Sequence, residues 1–171
     1  GYTASLTGAK ITCRIAVALI NKLYLKSDIT TMTLLTPRRI TLGFYAAALT
    51  NIVGVLIVSR AYSNELLGAL SPGVFSTFGV VCIQLWGLAY LAVSRRYAQV
   101  PQLVLVFALE KAVYVVSWVL WMQQHSAQLP RLWVESSHTA MFYTTYGVID
   151  LTFGVFFAVV ALKYWRTTQA Q

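Results

Sequence analysis

Four long apolar runs limit what this chain can fold into. They cover residues 40–58, 73–93, 100–122 and 141–162. Each is close to the roughly 20 residues that a helix needs to cross about 30 Å of hydrocarbon. A chain of 171 residues cannot bury four such helices on all faces in a soluble core. We therefore predict an all-α integral membrane protein, a four-transmembrane-helix bundle.

Composition and proline placement support these four spans. Hydrophobic residues make up 58% of the chain and charged residues 11%, whereas soluble domains are about one quarter charged. Pro37, Pro72 and Pro101 each stand at or just before the start of a run. A helix tolerates proline best at that position, because the first N–H groups have no partner inside the helix. The interior of each run is free of proline.

Basic residues alternate between the connections and indicate an orientation. Most lie before the first run, in the second connection and after the last run: Lys10, Arg14, Lys22, Lys26, Arg38, Arg39, Arg95, Arg96, Lys163 and Arg166. The first and third connections hold only Arg60 and Arg131. The positive-inside rule then places both termini on the cytoplasmic side, or on the matrix or stromal side of an organelle. A bacterial inner membrane and an organelle membrane both fit. This arrangement accounts for the net charge of +8 without a nucleic-acid partner.

Aromatic residues flank the runs on both sides. The outer set is Trp121, Trp133 and Tyr143, and the inner set is Tyr97, Tyr164 and Trp165. Amphipathic rings concentrate where a bilayer meets water. We therefore predict two aromatic belts at the membrane boundaries.

Outside the spans we predict an N-terminal basic segment, 1–39, and a short basic tail, 163–171. Within the former, ITCRIAVALINKLYLK at residues 11–26 is too short and too charged to span. Its apolar residues favour one side of a helix, which predicts an amphipathic helix lying on the inner membrane surface. Two alternatives stay open. The segment could dock onto a partner subunit, or it could be an organelle transit peptide, since it has no acidic residue before Asp28.

Each run carries a strongly polar side chain near its middle. A charge at the centre of a membrane helix costs about 2.5–3.5 kcal/mol, so these side chains should face the bundle interior, a cavity or another subunit. Helical spacing places Tyr114 on the face of Glu110 and Tyr146 on the face of Asp150. The predicted midplane polar cluster is Asn51, Gln84, Glu110, Lys111, Tyr114, Tyr146 and Asp150.

Matching depth suggests how the charges pair. Lys111 and Asp150 lie near the middle of consecutive runs that cross in opposite directions, so we predict an ion pair between them. Glu110 points about 100° away from Lys111 around the helix and is left with Tyr114, Asn51 or Gln84. The polar residues could bind a ligand, or they could simply hold the helices together.

Familiar catalytic and cofactor motifs are missing from the sequence. No run carries histidine at metal-ligand spacing, and no nucleotide-binding or nucleophile motif occurs. We predict no metal site, and the sequence leaves the cofactor and any catalytic residue unknown.

One junction resembles a known family. The segment SPGVFSTF, residues 71–78, leads into the second run with its Gln84. Together with four spans and cytoplasmic termini, it resembles the EXPERA membrane family, which includes the emopamil-binding sterol isomerase. The resemblance implies a lipid- or sterol-modifying isomerase. The family carries its acidic pattern in the first two spans, whereas this chain has its acids in the third and fourth, so no catalytic residue is carried over.

Three functions follow from these features. The first is binding of a small or lipid-like molecule in a midplane polar pocket, coupled to proton movement. The second is an accessory subunit of a larger membrane complex, or a homo-oligomer, with the polar residues at protein contacts. The third is an enzyme acting on a lipid, with Glu110 and Asp150 as acid and base. We expect the first.

Overall fold

The computed structural model describes residues 35–169, with side chains described as far as residue 165. The amphipathic helix expected at residues 11–26 lies outside this part. Within it every regular element is a helix and no strand occurs. The α-helices are α1 Pro37–Leu49, α2 Val55–Val58, α3 Glu65–Leu70, α4 Pro72–Phe75, α5 Thr77–Val93, α6 Pro101–His125, α7 Leu129–Glu135 and α8 Ser137–Gln169. A π-helical turn, Thr50–Gly54, joins α1 to α2, and short 3₁₀ turns cover Tyr97–Gln99 and Ser126–Gln128.

Three helical stretches are long and apolar enough to cross a membrane. They are Pro37–Val58, Pro101–Glu135 and Ser137–Trp165. The second predicted span is shorter than expected, because α5 has 17 residues and α4 forms a separate turn before it. The break is at Ser76, whose extended backbone lets its Oγ accept a hydrogen bond from Gly79 N at 3.2 Å. The all-helical class is confirmed, and three of the four predicted spans have crossing length.

Proline stands at the first residue of α1, α4 and α6, as its position in the sequence predicts. Helix boundaries nevertheless differ from the predicted runs at two further places. The connection between the third and fourth predicted runs is mostly helical, because it contains the end of α6, a 3₁₀ turn and α7. α8 continues to Gln169, past the predicted end of the fourth run at residue 162.

Exposed faces of the long helices are apolar, the reverse of a soluble bundle. Exposed apolar residues recur every three or four positions: Val106, Leu109, Val113 and Val116 on α6, and Val148, Leu151 and Val155 on α8. Asn51, Glu110 and Lys111 are instead buried. Large exposed apolar surfaces mark contact with a membrane or a partner.

α6 and α8 form the most extensive helix pair. Trp118 Nε1 donates to the Tyr143 carbonyl at 2.8 Å, and Lys111 meets Asp150 two turns away. As the numbering falls along α6 it rises along α8, so the two helices are antiparallel. A Cβ at Gly154 would lie 3.2 Å from the Lys111 Cβ, so the glycine lets α8 approach at the level of the ion pair.

α1 and α5 form a second antiparallel pair. Asn51 Nδ2 donates to the Ile83 carbonyl at 3.2 Å, and Arg95 Nε donates to the Tyr45 hydroxyl at 3.1 Å. A Cβ at Gly87 would stand 2.7 Å from the Ile52 Cγ1 atom, so a side chain there would push the helices apart. This contact holds the π-helical turn close to α5.

Several residues of the predicted aromatic belts are buried instead. Trp121, Tyr143 and Tyr97 have at most 6% of their surface exposed, whereas Trp133 is 44% exposed. The Tyr97 ring stacks on Phe44 with ring centroids 5.6 Å apart. The belt prediction is wrong for the three buried residues, because their rings fill the space between helix ends.

The connection between α2 and α3 has an unusual backbone. Arg60, Ala61 and Tyr62 all have positive φ, between 48° and 70°, a conformation that non-glycine residues rarely adopt. Two side chains restrain it. Ser59 Oγ accepts from the Tyr62 N–H at 3.3 Å, and Asn64 Nδ2 donates to the Val58 carbonyl at 2.9 Å.

Candidate functional site

Lys111 is the centre of the polar cluster. It lies on α6 with 1% of its surface exposed. Its Nζ donates to Asp150 Oδ1 on α8 at 2.6 Å and to Asn51 Oδ1 at 3.0 Å. The structure thus contains the ion pair expected between Lys111 and Asp150. Two segments, α8 and the turn Thr50–Gly54, therefore supply the hydrogen-bond partners of one buried ammonium group on α6.

Asn51 reaches this position from the π-helical turn. Its side chain is used at both ends, because Nδ2 donates to Ile83 O while Oδ1 accepts from Lys111. Single π-helical turns inside α-helices are rare and frequently occur at functional sites. The sequence identified Asn51 by its depth but gave no signal of the wider turn.

Glu110 faces the other side of Lys111. Its Oε2 accepts a hydrogen bond from the Tyr90 hydroxyl on α5, whereas we expected Tyr114, Asn51 or Gln84. Its Oε1 lies 3.8 Å from Lys111 Nζ and has no hydrogen-bond partner. Among the buried side-chain oxygens and nitrogens of residues 35–165, this is the one atom without a partner. Sequence reasoning missed Tyr90, although it is the one tyrosine in the second apolar run.

Gln84 lies apart from the ion pair. Its Oε1 accepts from the Tyr62 hydroxyl at 2.5 Å, and its Nε2 donates to the Ile52 carbonyl at 3.4 Å. The predicted polar layer is therefore divided into three groups. One is Asn51 with Lys111 and Asp150, and the others are the pairs Glu110–Tyr90 and Gln84–Tyr62.

A cavity of about 180 Å³, here called the inner cavity, adjoins the Lys111–Asp150 pair. Most of its wall comes from α2, α8 and the π-helical turn, with Lys111 and Tyr114 contributed by α6. The lining residues are Thr50, Asn51, Gly54, Val55, Val58, Phe75, Ile83, Lys111, Tyr114, Met141, Phe142, Thr145, Tyr146, Ile149 and Asp150. Five of the seven predicted cluster residues line it, and Gln84 and Glu110 do not.

Three polar groups of lining residues have hydrogen-bonding capacity to spare. Asp150 Oδ2 and the hydroxyls of Tyr114 and Tyr146 make no hydrogen bond to another described residue. None of these atoms is fully enclosed, and the Asp150 side chain keeps 14% of its surface exposed. The inner cavity therefore offers one free acceptor and two hydroxyls within largely apolar walls.

The two carboxylates should respond differently to loss of charge. We expect Asp150→Asn to lower the free energy of unfolding by at least about 2 kcal/mol, because Lys111 loses its charged partner at 2.6 Å and keeps only Glu110 Oε1 at 3.8 Å. Glu110→Gln should cost about 1 kcal/mol or less, since the amide oxygen still accepts from Tyr90. Reversible unfolding in mixed micelles, followed by circular dichroism, measures both. Equal costs would mean that Lys111 relies on both carboxylates equally.

No group of three or more His, Cys, Asp or Glu side chains in the described part of the chain could hold a metal ion. Comparisons with protein-family models, curated proteins and solved structures find no match to this chain. The resemblance to the EXPERA family thus rests on the sequence features given above. Function is inferred below from the side chains and their surroundings.

Proposed function

We propose that this chain is a multi-pass integral membrane protein with four spans, whose inner cavity binds a small, largely apolar molecule that carries a hydroxyl group. One observation carries the proposal. An apolar cavity at the buried Lys111–Asp150 pair is lined by residues that hold a free carboxylate oxygen and two free hydroxyls. Ligand sites commonly combine apolar walls with a few convergent polar groups in this way.

The length of α5 is compatible with a fourth span beside the three long ones. α5 has 17 residues, which at about 1.5 Å per residue gives about 26 Å. That is slightly less than the hydrocarbon thickness of about 30 Å, and a bilayer accommodates such a mismatch by local thinning at modest cost. With four spans the alternation of basic residues places both termini on the cytoplasmic or equivalent side.

Cavity size favours a small ligand. An engineered cavity of about 150 Å³ in another protein holds benzene, and pockets for drug-sized ligands have about 300–1,000 Å³. The inner cavity, at about 180 Å³, suits a single substituted ring or a short chain. A whole sterol exceeds this volume, which favours a small ligand over the substrate implied by the EXPERA resemblance.

Hydrogen-bonding chemistry favours a hydroxyl group. Asp150 Oδ2 can only accept while the carboxylate is ionised, so the ligand must donate a hydrogen bond to it. The hydroxyls of Tyr114 and Tyr146 can donate in return to the ligand oxygen. An alcohol or phenol meets both requirements with one group.

The geometry gives less support to the two alternatives, a lipid-modifying enzyme and an accessory subunit of a larger complex. Acid–base catalysis by Glu110 and Asp150 needs both carboxyls at the substrate, but Glu110 faces Tyr90 and does not line the inner cavity. A subunit contact through charged faces needs exposed charges, whereas Glu110 and Lys111 are buried within the chain. If proton movement accompanies binding, Glu110 is its strongest candidate, because its buried Oε1 has no hydrogen-bond partner.

A matched pair of probes tests the proposal. We expect 4-(trifluoromethyl)phenol to bind the protein in lipid nanodiscs about 3- to 10-fold more tightly than (trifluoromethyl)benzene, since one hydroxyl adds about one net hydrogen bond. Fluorine NMR gives both dissociation constants, with empty nanodiscs correcting for partition into lipid. Val58→Phe, which places a ring in the cavity wall, should abolish binding at the inner cavity. Equal affinities for the two probes, or unchanged binding to the variant, would contradict the assignment.

A further inference from the structure

A second cavity, here called the outer cavity, lies beside the connection between α2 and α3. Its volume is about 350 Å³. The lining residues are Ser59, Tyr62, Asn64, Glu65, Leu67, Gly68, Phe75, Ser76, Thr77 and Val80. Most of them are polar, whereas the inner cavity is mainly apolar. The sequence marked none of them as a site residue.

Strained backbone forms part of this wall. Tyr62 is the last of three consecutive residues with positive φ, and Ser59 and Asn64 restrain them through side-chain hydrogen bonds. Asn64 also donates to Thr139 Oγ1 at 3.2 Å, which ties the connection to α8. Such conformations cost about 1–3 kcal/mol each and concentrate at ligand sites, where surrounding contacts hold them.

Free polar groups in the outer cavity suit an uncharged hydroxyl. The Glu65 carboxylate and the Thr77 hydroxyl make no hydrogen bond or ion pair with described residues. Ser76 Oγ accepts from Gly79 N, so its own proton remains free to donate. The described residues that line it include no Lys, Arg or His, so none of them compensates a phosphate or carboxylate. A hydroxyl can donate to Glu65 and accept from Ser76 or Thr77.

Phe75 lines both cavities. Its ring packs edge-on against Phe142 at 4.9 Å and Tyr146 at 5.1 Å, two residues of the inner cavity. Phe75 belongs to the single turn α4, which lies between the non-helical residues Ser71 and Ser76. One aromatic side chain, on a short turn with a break at each end, therefore borders both cavities.

We propose that the outer cavity is a second binding site for the same uncharged, hydroxyl-bearing molecule, and that Phe75 gates its passage into the inner cavity. This rests on the proposed function of the inner cavity. The ligand binds first among Glu65, Ser76 and Thr77, and then passes the Phe75 ring to reach Asp150.

Fluorine NMR with 4-(trifluoromethyl)phenol separates the two sites. We expect two bound resonances in the wild-type protein. Val58→Phe should remove the one from the inner cavity, and Thr77→Val should weaken the other about 3- to 10-fold through loss of one hydroxyl. The anion 4-(trifluoromethyl)benzoate should bind the outer cavity at least about 10-fold more weakly than the phenol, because Glu65 repels it. A single bound resonance, or equal binding of the benzoate, would overturn the second site.

Exchange rates test the gate. Phe75→Leu should raise the association and dissociation rates at the inner cavity together, by about 5-fold or more, and leave the dissociation constant within about 3-fold. Phe75→Trp should slow both rates. Circular dichroism confirms that each variant is folded, and the opposite directions of the two variants distinguish gating from general loosening. Binding by the wild type with unchanged rates in both variants would overturn the gate alone, whereas no wild-type binding at the inner cavity would overturn the proposed function.

Discussion

Replacing Lys111 by Met is expected to lower the free energy of unfolding by about 3–5 kcal/mol. Met has nearly the same length, so packing changes little, but Asp150 and Asn51 both lose their shared donor. Glu110 loses the cation 3.8 Å from its Oε1. Glu110 then stays buried and Asp150 largely buried, both in an apolar setting without a positive charge. Unfolding in mixed micelles, followed by circular dichroism, measures the loss.

A second substitution separates charge from packing. Adding Asp150→Asn to Lys111→Met should recover at least about 1.5 kcal/mol, because the uncompensated carboxylate beside the inner cavity is gone. Arg131→Met, at an exposed position in α7, removes one positive charge elsewhere and should change stability by less than about 0.5 kcal/mol. A Lys111→Met variant as stable as wild type would mean that the ion pair does not hold α6 to α8.

The ion pair could be predicted because depth is encoded in the sequence. Consecutive apolar runs cross the membrane in opposite directions, and their ends lie at the two membrane surfaces. Residues near the middle of each run, such as Lys111 and Asp150, therefore lie at the same depth. The faces of α6 and α8 were also readable, since Tyr114 and Tyr146 are within one turn of the charges. Both tyrosines line the inner cavity with Asp150.

Rotation of each helix about its axis could not be predicted in the same way. Gln84 has the depth of the cluster, but α5 turns it toward Tyr62 and the Ile52 carbonyl. The same rotation turns Tyr90 toward Glu110. The residues of α5 are apolar on nearly every face of the helix. Hydrophobic periodicity therefore gives little guidance about which face is buried. The π-helical turn at Asn51 adds a local change of rotation that also lacks a sequence signal.

An arginine in place of Leu109, next to Glu110 but on the exposed face of α6, should strongly reduce membrane insertion. Leu109 precedes Glu110 on α6 and is 59% exposed, in the middle of the apolar face. If that face meets lipid, Leu109→Arg should disfavour insertion of the third span by about 3 kcal/mol. On a water-exposed face, the same change should alter stability by less than about 0.5 kcal/mol. A glycosylation-based insertion assay on the full chain measures the inserted fraction.

Val134→Arg is the matched control for this experiment. Val134 is 90% exposed but lies on α7, next to the last residue of the stretch Pro101–Glu135 and beyond the predicted end of the third span at residue 122. Insertion should be unchanged there, because an arginine outside the hydrocarbon keeps its water. Normal insertion of Leu109→Arg would remove the membrane assignment of α6, since its neighbours one turn away on that exposed face, Val106 and Val113, carry no charge that could compensate an arginine. A loss confined to Leu109→Arg ties the buried charges of Glu110 and Lys111 to a helix that crosses lipid.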